Sequence, residues 1–408
     1  IPREPNMPSL SELVPYVKVS TFASWDEMAR WYWDLIKDQF LLNEELRAKT
    51  AELVQAYAER AARSEPSLTD LDIIKALNSF VNTQVRYLGL EFGIHGYKPH
   101  RAVDIFSAQY GDCKDKATLM LAMAAEKGIP GRIALVRTSH LGHVDYELPS
   151  LGLFNHAIVY FPDVDGRSFV LDGTAQFHGT TELPSGDQGV TLLTIAPGGA
   201  YEFVESPIYS ADINQATYET DLVLAADGSA TGVRRSRFQG LFNPSVRSVY
   251  ENRGKVQEKV EAQFGSAFPG TTVANIELSD LDNFEEPEWI RFDLNIPKLA
   301  DRPAGQDNRL VFRPVLFPLE LSRSYAVLPQ RRHELVLSYN WSRIRKVEVA
   351  LPEGFQVAQL PESRRIESPF GFLHLECSAE GGKIIFEERV GLQVEDLRVP
   401  TSEYDAFR

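Results

Sequence analysis

Cysteine is scarce: Cys113 and Cys377 are the two in 408 residues. Two thiols make no disulfide framework, and neither has a CxxC partner for zinc or redox chemistry, so cysteine acts here as a single thiol. Basic charge is also in deficit, with 42 Lys+Arg against 57 Asp+Glu, a formal net charge of −15 and a pI near 5.1. That balance argues against nucleic acid or an anionic membrane surface as partner, since both need a clustered Lys/Arg footprint. The short run Arg234, Arg235, Arg237 falls in an alternating segment and reads as a solvated strand face. No apolar run approaches the roughly 18–20 residues of a bilayer span. There is no fixed-period repeat, no phosphate-cradling glycine loop, no dinucleotide fingerprint and no Ca²⁺ loop of the D-x-[DN]-x-[DN]-G type, so no cofactor is expected. The start, Ile1-Pro2-Arg3-Glu4, is neither a Met nor a signal peptide, which makes the chain an expected piece of a longer one.

What is present is an ordinary globular composition, 43% hydrophobic and 24% charged, in a chain long enough for two or three domains. The first hundred residues carry helix signals. Ser24 with Glu27 forms a capping-box pattern before residues 25–40, residues 43–63 form a more polar helix, and Thr69 with Asp72 opens a segment whose Ile73, Ile74, Leu77, Phe80 and Val81 recur at helical spacing. Trp25, Trp31 and Trp33 read as packing residues. A further helix is predicted from Asp112 to about Lys127, ended by Gly128 and Pro130. Strands follow over 132–138, 154–161 and 168–171, and a boundary is placed at Ala196-Pro197-Gly198-Gly199. Beyond it the pattern has period two, interrupted by one helix over 244–264 with Asn243 as N-cap and Pro244 at its first position. The expected fold is α+β: a helical lobe and antiparallel sheet over residues 1–198, then a β-sandwich region over 199–408, with a split into two subdomains open near 318–329.

The stretch Tyr110-Gly111-Asp112-Cys113-Lys114-Asp115-Lys116 carries chemistry. Asp112 is a natural N-cap, which puts Cys113 in the first helical turn, where unpaired N–H groups and the helix dipole favour a thiolate. Asp112 and Asp115 work against that charge, so a cationic imidazole is needed nearby. His156, in the apolar run Asn155-His156-Ala157-Ile158-Val159-Tyr160, is the candidate, because such a residue is costly to bury without a partner. Asp172 ends the next strand. With a loop Asp163-Val164-Asp165 and Gly166 in a bulge, paired residues sum to 328 and His156 faces Asp172 directly on one side of the sheet. Nucleophile, base and orienting carboxylate are the parts of covalent acyl transfer. The oxyanion would meet the Cys113 N–H and a second donor from around Tyr87 or from Gln109.

These residues resemble the transglutaminase-like superfamily, and more narrowly the bacterial proteins in which such a core follows a DUF3857 domain, here absent from the fragment. The resemblance spans about residues 10–180, with Tyr16 to Ser20, Trp25 and Val85-Arg86-Tyr87 as lead-in. It implies a papain-like core using Cys113, His156 and Asp172, a peptide or protein substrate, and a periplasmic or cell-envelope setting. It leaves substrate and oligomeric state open.

Competing readings are a metal site and a scaffold. Ser139-His140-Leu141-Gly142-His143-Val144-Asp145 brings two histidines and a carboxylate close in sequence, yet a Gly-interrupted loop aligns no ligands, so no metal is expected. His140, His143 and Asn155 are placed at the cleft rim instead, and His95 and His100 on an exposed loop. The other class is a catalytically silent core that binds protein or cell-envelope partners. Cys377, on an alternating strand with Leu373 and Leu375, reads as buried and inert. Hydrolysis is favoured over transamidation because water needs no dedicated acceptor site.

Overall fold

A computed structural model describes residues 1–306 and 308–408. The chain divides into two compact units, one of residues 8–208 and one of residues 209–408 together with 1–7.

In the first unit a one-turn helix α1 (Leu10–Leu13) precedes α2 (Trp25–Ile36), α3 (Glu44–Arg60) and α4 (Asp70–Gln84). Their starts follow the local chemistry: the Ser24 hydroxyl accepts the Glu27 N–H, Asn43 caps α3, and Thr69 with Asp72 makes a reciprocal capping box. A parallel pair of two-residue strands, β1 (Arg86–Tyr87) and β2 (Tyr110–Gly111), brackets α5 (Ala102–Ala108). Helix α6 (Cys113–Glu126) then runs through the centre, buried on every face from Cys113 to Ala124. It packs against a five-stranded antiparallel sheet: β3 (Arg132–Val136), β4 (His156–Val164), β5 (Arg167–Leu171), β6 (Thr191–Ile195) and β7 (Tyr201–Glu205). The spatial order is β5-β4-β3-β6-β7. Because β7 pairs with β6, the boundary expected at residues 196–199 lies inside this sheet, at the turn between its last two strands.

The β4–β5 hairpin departs from the predicted register. Val159 pairs with Leu171 and Phe161 with Phe169, so paired residues sum to 330 instead of 328, with a bulge between Phe161 and Val164. The turn takes two residues, Asp165 at φ 51° and Gly166 at φ 88°, the left-handed pair that tight hairpins favour. A shift of two preserves parity. His156 and Asp172 therefore stay on one face as diagonal neighbours, instead of standing directly opposite.

In the second unit the strands β8 (Gln215–Leu224), β9 (Ala230–Phe238), β10 (Thr272–Leu278), β11 (Glu288–Ile296), β13 (Trp341–Ala350), β14 (Arg364–Ser368), β15 (Gly371–Glu380) and β16 (Lys383–Leu392) form one eight-stranded sheet, while β12 (Leu335–Val336) pairs with β17 (Arg398–Val399). Strand β13 lies parallel to β8 from Ser342–Gln215 to Ala350–Val223, so hydrogen bonds continue across the split considered near 318–329. The helix predicted over 244–264 is two, α7 (Phe242–Tyr250) and α8 (Val256–Gly265), because Asn252 turns extended between them. Asn243 is not the cap; its Oδ1 accepts the Glu288 N–H at 3.0 Å. Nor is Arg234 solvated: alternation on β9 turns it inward, 9% exposed, with the Tyr218 ring centroid at 4.7 Å. Cys377 is half-buried at the edge of the core instead of enclosed.

Candidate active site

The site is built from the start of α6, the start of β4 and the residue that follows β5. Asp112 Oδ1 accepts the Asp115 N–H at 3.2 Å and Asp115 Oδ2 accepts the Asp112 N–H at 3.2 Å, which fixes the first helical turn and Cys113 within it. Gly111 is required there, since a β-carbon would stand 2.6 Å from that of Asp115. Both flanking carboxylates have partners: Lys114 Nζ bonds Asp112, and Asp115 Oδ1 accepts the His100 N–H at 2.7 Å. Burial still raises the Asp112 pKa, against the hydrogen bond from Lys114. The loop of His95 and His100, expected to be plainly exposed, is thus tied to the helix that carries Cys113, and the two rings stack 4.0 Å apart.

His156 stands where β4 begins, opposite Val136 of β3. Its Nε2 lies 3.2 Å from Asp172 Oδ2, and its ionisation is coupled to the side chain of Cys113 as well. Burial works to lower the His156 pKa, but the hydrogen bonds to Asp172 and Cys113 and the negative charges of Asp172 and Asp187 lift it to about 11. These neighbours favour the protonated imidazole. Asp172 Oδ1 accepts the Thr174 N–H at 2.8 Å and the Thr174 hydroxyl at 2.7 Å. Burial would raise the Asp172 pKa, yet those bonds and the His156 ring hold it below the ordinary carboxylate value.

Two members of the group carried no legible signal in the sequence. Asp187, in the turn Pro184-Ser185-Gly186-Asp187, is 2% exposed, and a carboxyl oxygen of it lies within 4.8 Å of one of Asp172. Burial and the adjacent Asp172 charge push its pKa to about 7. Lys116, one turn beyond Cys113, donates from Nζ to the Val85 carbonyl at 2.8 Å, and burial lowers it to about 8 against the pull of Asp172. Polar residues in a short turn and in the middle of a helix read as solvated unless tertiary contacts are known.

Of the remaining candidates, Tyr87 belongs to the neighbourhood. Its strand residue pairs with Gly111, and burial together with the negative field of Cys113 and Asp112 raises its hydroxyl to about 12. Gln109 takes a left-handed conformation and uses its carbonyl to hold the Arg86 N–H at 2.9 Å, a brace for β1. Asn155 joins strand ends: its Oδ1 accepts the Thr138 N–H at 2.9 Å and its Nδ2 donates to the Thr138 hydroxyl at 2.9 Å. The His140 ring bonds that same hydroxyl, and His143 is exposed. Asp145 is taken by Lys18, so the histidine-rich loop gathers no ligand set. Among the described residues the cluster with metal-ligand chemistry is His156, Asp172 and Asp187, whose donor atoms lie within 4.8 Å of one another.

Residues 55–169 match the transglutaminase-like superfamily. That match takes in Cys113 and His156 and ends before Asp172, whose placement rests on geometry. Residues 308–408 match a domain of unknown function with solved structure, DUF3858. No curated protein matches the chain. A crystal structure from Parabacteroides distasonis, described as a "putative protease", is similar over 95% of this chain and 56% of that one, with a TM-score of 0.55 at 13% identity. The likeness is one of fold, and this chain spans little more than half the length of that protein. A structure from Cytophaga hutchinsonii, described as a "putative cysteine protease", covers 42% of this chain and 51% of that one at 16% identity with a TM-score of 0.24. The first unit thus has a transglutaminase-like α+β core, followed by antiparallel sheet in the C-terminal region. No helix is long and apolar enough to cross a membrane among the described residues.

Proposed function

We propose that the unit of residues 8–208 is a cysteine-nucleophile acyl-transfer enzyme acting on peptide or amide bonds, with water as the favoured acceptor. One observation carries the reading: the imidazole of His156 lies 3.2 Å from Asp172 and interacts with the side chain of Cys113 at a helix start. Sγ attacks the carbonyl carbon, and the electron pair of the C=O bond moves onto oxygen. The imidazolium of His156 gives its proton to the departing nitrogen as the C–N bond breaks, leaving a thioester on Cys113. His156 then takes a proton from water, whose oxygen forms the new C–O bond, and the thiolate leaves. Asp172 keeps the ring oriented and stabilises its charge. The oxyanion meets the Cys113 N–H, with Tyr87 as the second donor; its electrostatic proximity to Cys113 favours it over Gln109. The protease description of the Parabacteroides protein points the same way.

The test is cleavage of a complex peptide mixture, read as new amino termini by mass spectrometry. The wild type is expected to generate them, and Cys113→Ala to fall by more than about a thousandfold. Equal cleavage by Cys113→Ala contradicts the mechanism. Incorporation of a labelled primary amine in place of new acids would make an amine the acceptor.

A further inference from the structure

Asp187 is an ionisable group of the cluster that acyl transfer leaves without a task. It sits in a one-turn segment, Ser185–Asp187, whose last N–H bonds the Pro184 carbonyl at 3.0 Å. The side chain is 2% exposed. Its oxygen, an Asp172 oxygen and a His156 nitrogen lie within 4.8 Å of one another. Two buried carboxyls this close do not both ionise without cost, and one that keeps its proton can donate it to the other, because an ionised carboxyl only accepts.

The partners decide which one holds it. Asp172 already receives the Thr174 N–H, the Thr174 hydroxyl and the His156 ring. Each of these bonds favours its anion, so the proton belongs to Asp187. The other groups facing the pair agree. From α6 come Cys113, bonded to His156, and Lys116, which feels Asp172 but gives its hydrogen bond to the Val85 carbonyl. The short turn Ser139–Leu141 packs against the Asp187 turn, and the ring of its His140 is bonded to Thr138.

We propose that Asp187 is a positioning residue that stands protonated and donates its hydrogen to Asp172, so that loss of this proton to solvent switches the Cys113–His156 couple to a slower state. The proposal rests on the acyl-transfer reading above. With the proton in place, the Asp172–Asp187 pair carries one negative charge against the imidazolium. When the proton leaves, a second buried negative charge faces the ring. It strengthens the hold of His156 on the proton that the leaving nitrogen needs, and it opposes the growing charge of the oxyanion. Burial and the Asp172 charge push the Asp187 pKa to about 7, so the couple is expected to work below neutrality and to be restrained above it.

Infrared spectroscopy reads the proton directly. In wild type, the carbonyl stretch of a buried, protonated carboxyl is expected at pH 5.5 and is lost by pH 9. Asp187→Asn, nearly isosteric and still a donor to Asp172, is expected to lack that band, to unfold cooperatively within a few degrees of wild type, and to move the alkaline limb of turnover up by a pH unit or more. At pH 6 its turnover stays within about threefold of wild type, whereas Asp187→Ala, with no donor, falls at least tenfold and regains no rate at higher pH. A titrating band that persists in Asp187→Asn, or an alkaline limb that stays in place, overturns the proposal. The acyl-transfer reading fails on a different result: alkylation of Cys113 at the same rate in wild type and His156→Ala, which the infrared band does not affect.

Discussion

Each unit of this chain buries charged side chains, and the two do it differently. In the C-terminal unit Arg247 and Glu288 are each 1% exposed and meet at 2.5 Å. The remaining guanidinium donors reach the Phe284 and Glu286 carbonyls at 3.0 and 3.2 Å, while Ser279 bonds the other Glu288 oxygen. One charge answers one charge. In the transglutaminase-like unit one imidazole serves a thiol and two carboxyl groups, a proton is shared, and His156, Asp187 and Lys116 all lie far from their ordinary ionisation ranges. A saturated pair holds a fold in place. An unsaturated group keeps protons near neutrality in play, which is what acid–base chemistry requires.

The contrast can be broken from both sides. The largest effect on stability is expected at Arg247: Arg247→Ala strands a buried carboxylate and should cost about 3–5 kcal/mol in denaturant unfolding. Asp172→Asn should divide the other way, leaving the unfolding midpoint much closer to wild type while turnover falls about a hundredfold or more, because the ring loses its orientation. An Asp172→Asn variant as unstable as Arg247→Ala would make the two groups alike and erase the distinction. A smaller effect is expected from pH. His156 is raised from 6.5 to about 11, so its contribution to stability is fully present below pH 6.5 and is lost as pH rises toward 11. Asp172 is lowered, so its contribution is present above the free carboxylate value and is lost as pH falls below it. Urea midpoints should therefore drop from pH 7 to pH 10 in wild type and less steeply in His156→Gln; parallel slopes would show that the histidine is not held cationic by its neighbours.

Much of the first unit was legible because its signals are local. Thr69 with Asp72 and Asp112 with Asp115 make capping boxes that need only three residues of separation, and both are formed. The shared face of His156 and Asp172 followed from period-two parity, which survived a register error of two. The error itself came from the turn: Asp165 and Gly166 both accept a left-handed backbone, which allows a two-residue loop and pushes the extra residue into a bulge. Features set by distant packing were not legible. Arg234 is buried among Tyr218, Phe264 and Phe317, which approach it from other elements. Asp187 stands in a turn whose composition reads as solvent-facing. The parallel contact of β13 with β8 joins strands more than a hundred residues apart, beyond the reach of any local pattern.

The pH dependence of Cys113 alkylation by a neutral haloacetamide, followed by peptide mass spectrometry, tests the central claim most directly. Cys377 is the reference within the same sample: it is half-buried, and burial raises its pKa. Cys113 is expected to outpace Cys377 by tenfold or more at pH 6 and to lose that advantage in His156→Ala. Equal rates for the two cysteines, or a Cys113 rate that His156→Ala leaves unchanged, would contradict the account of a thiolate poised against the His156 imidazolium.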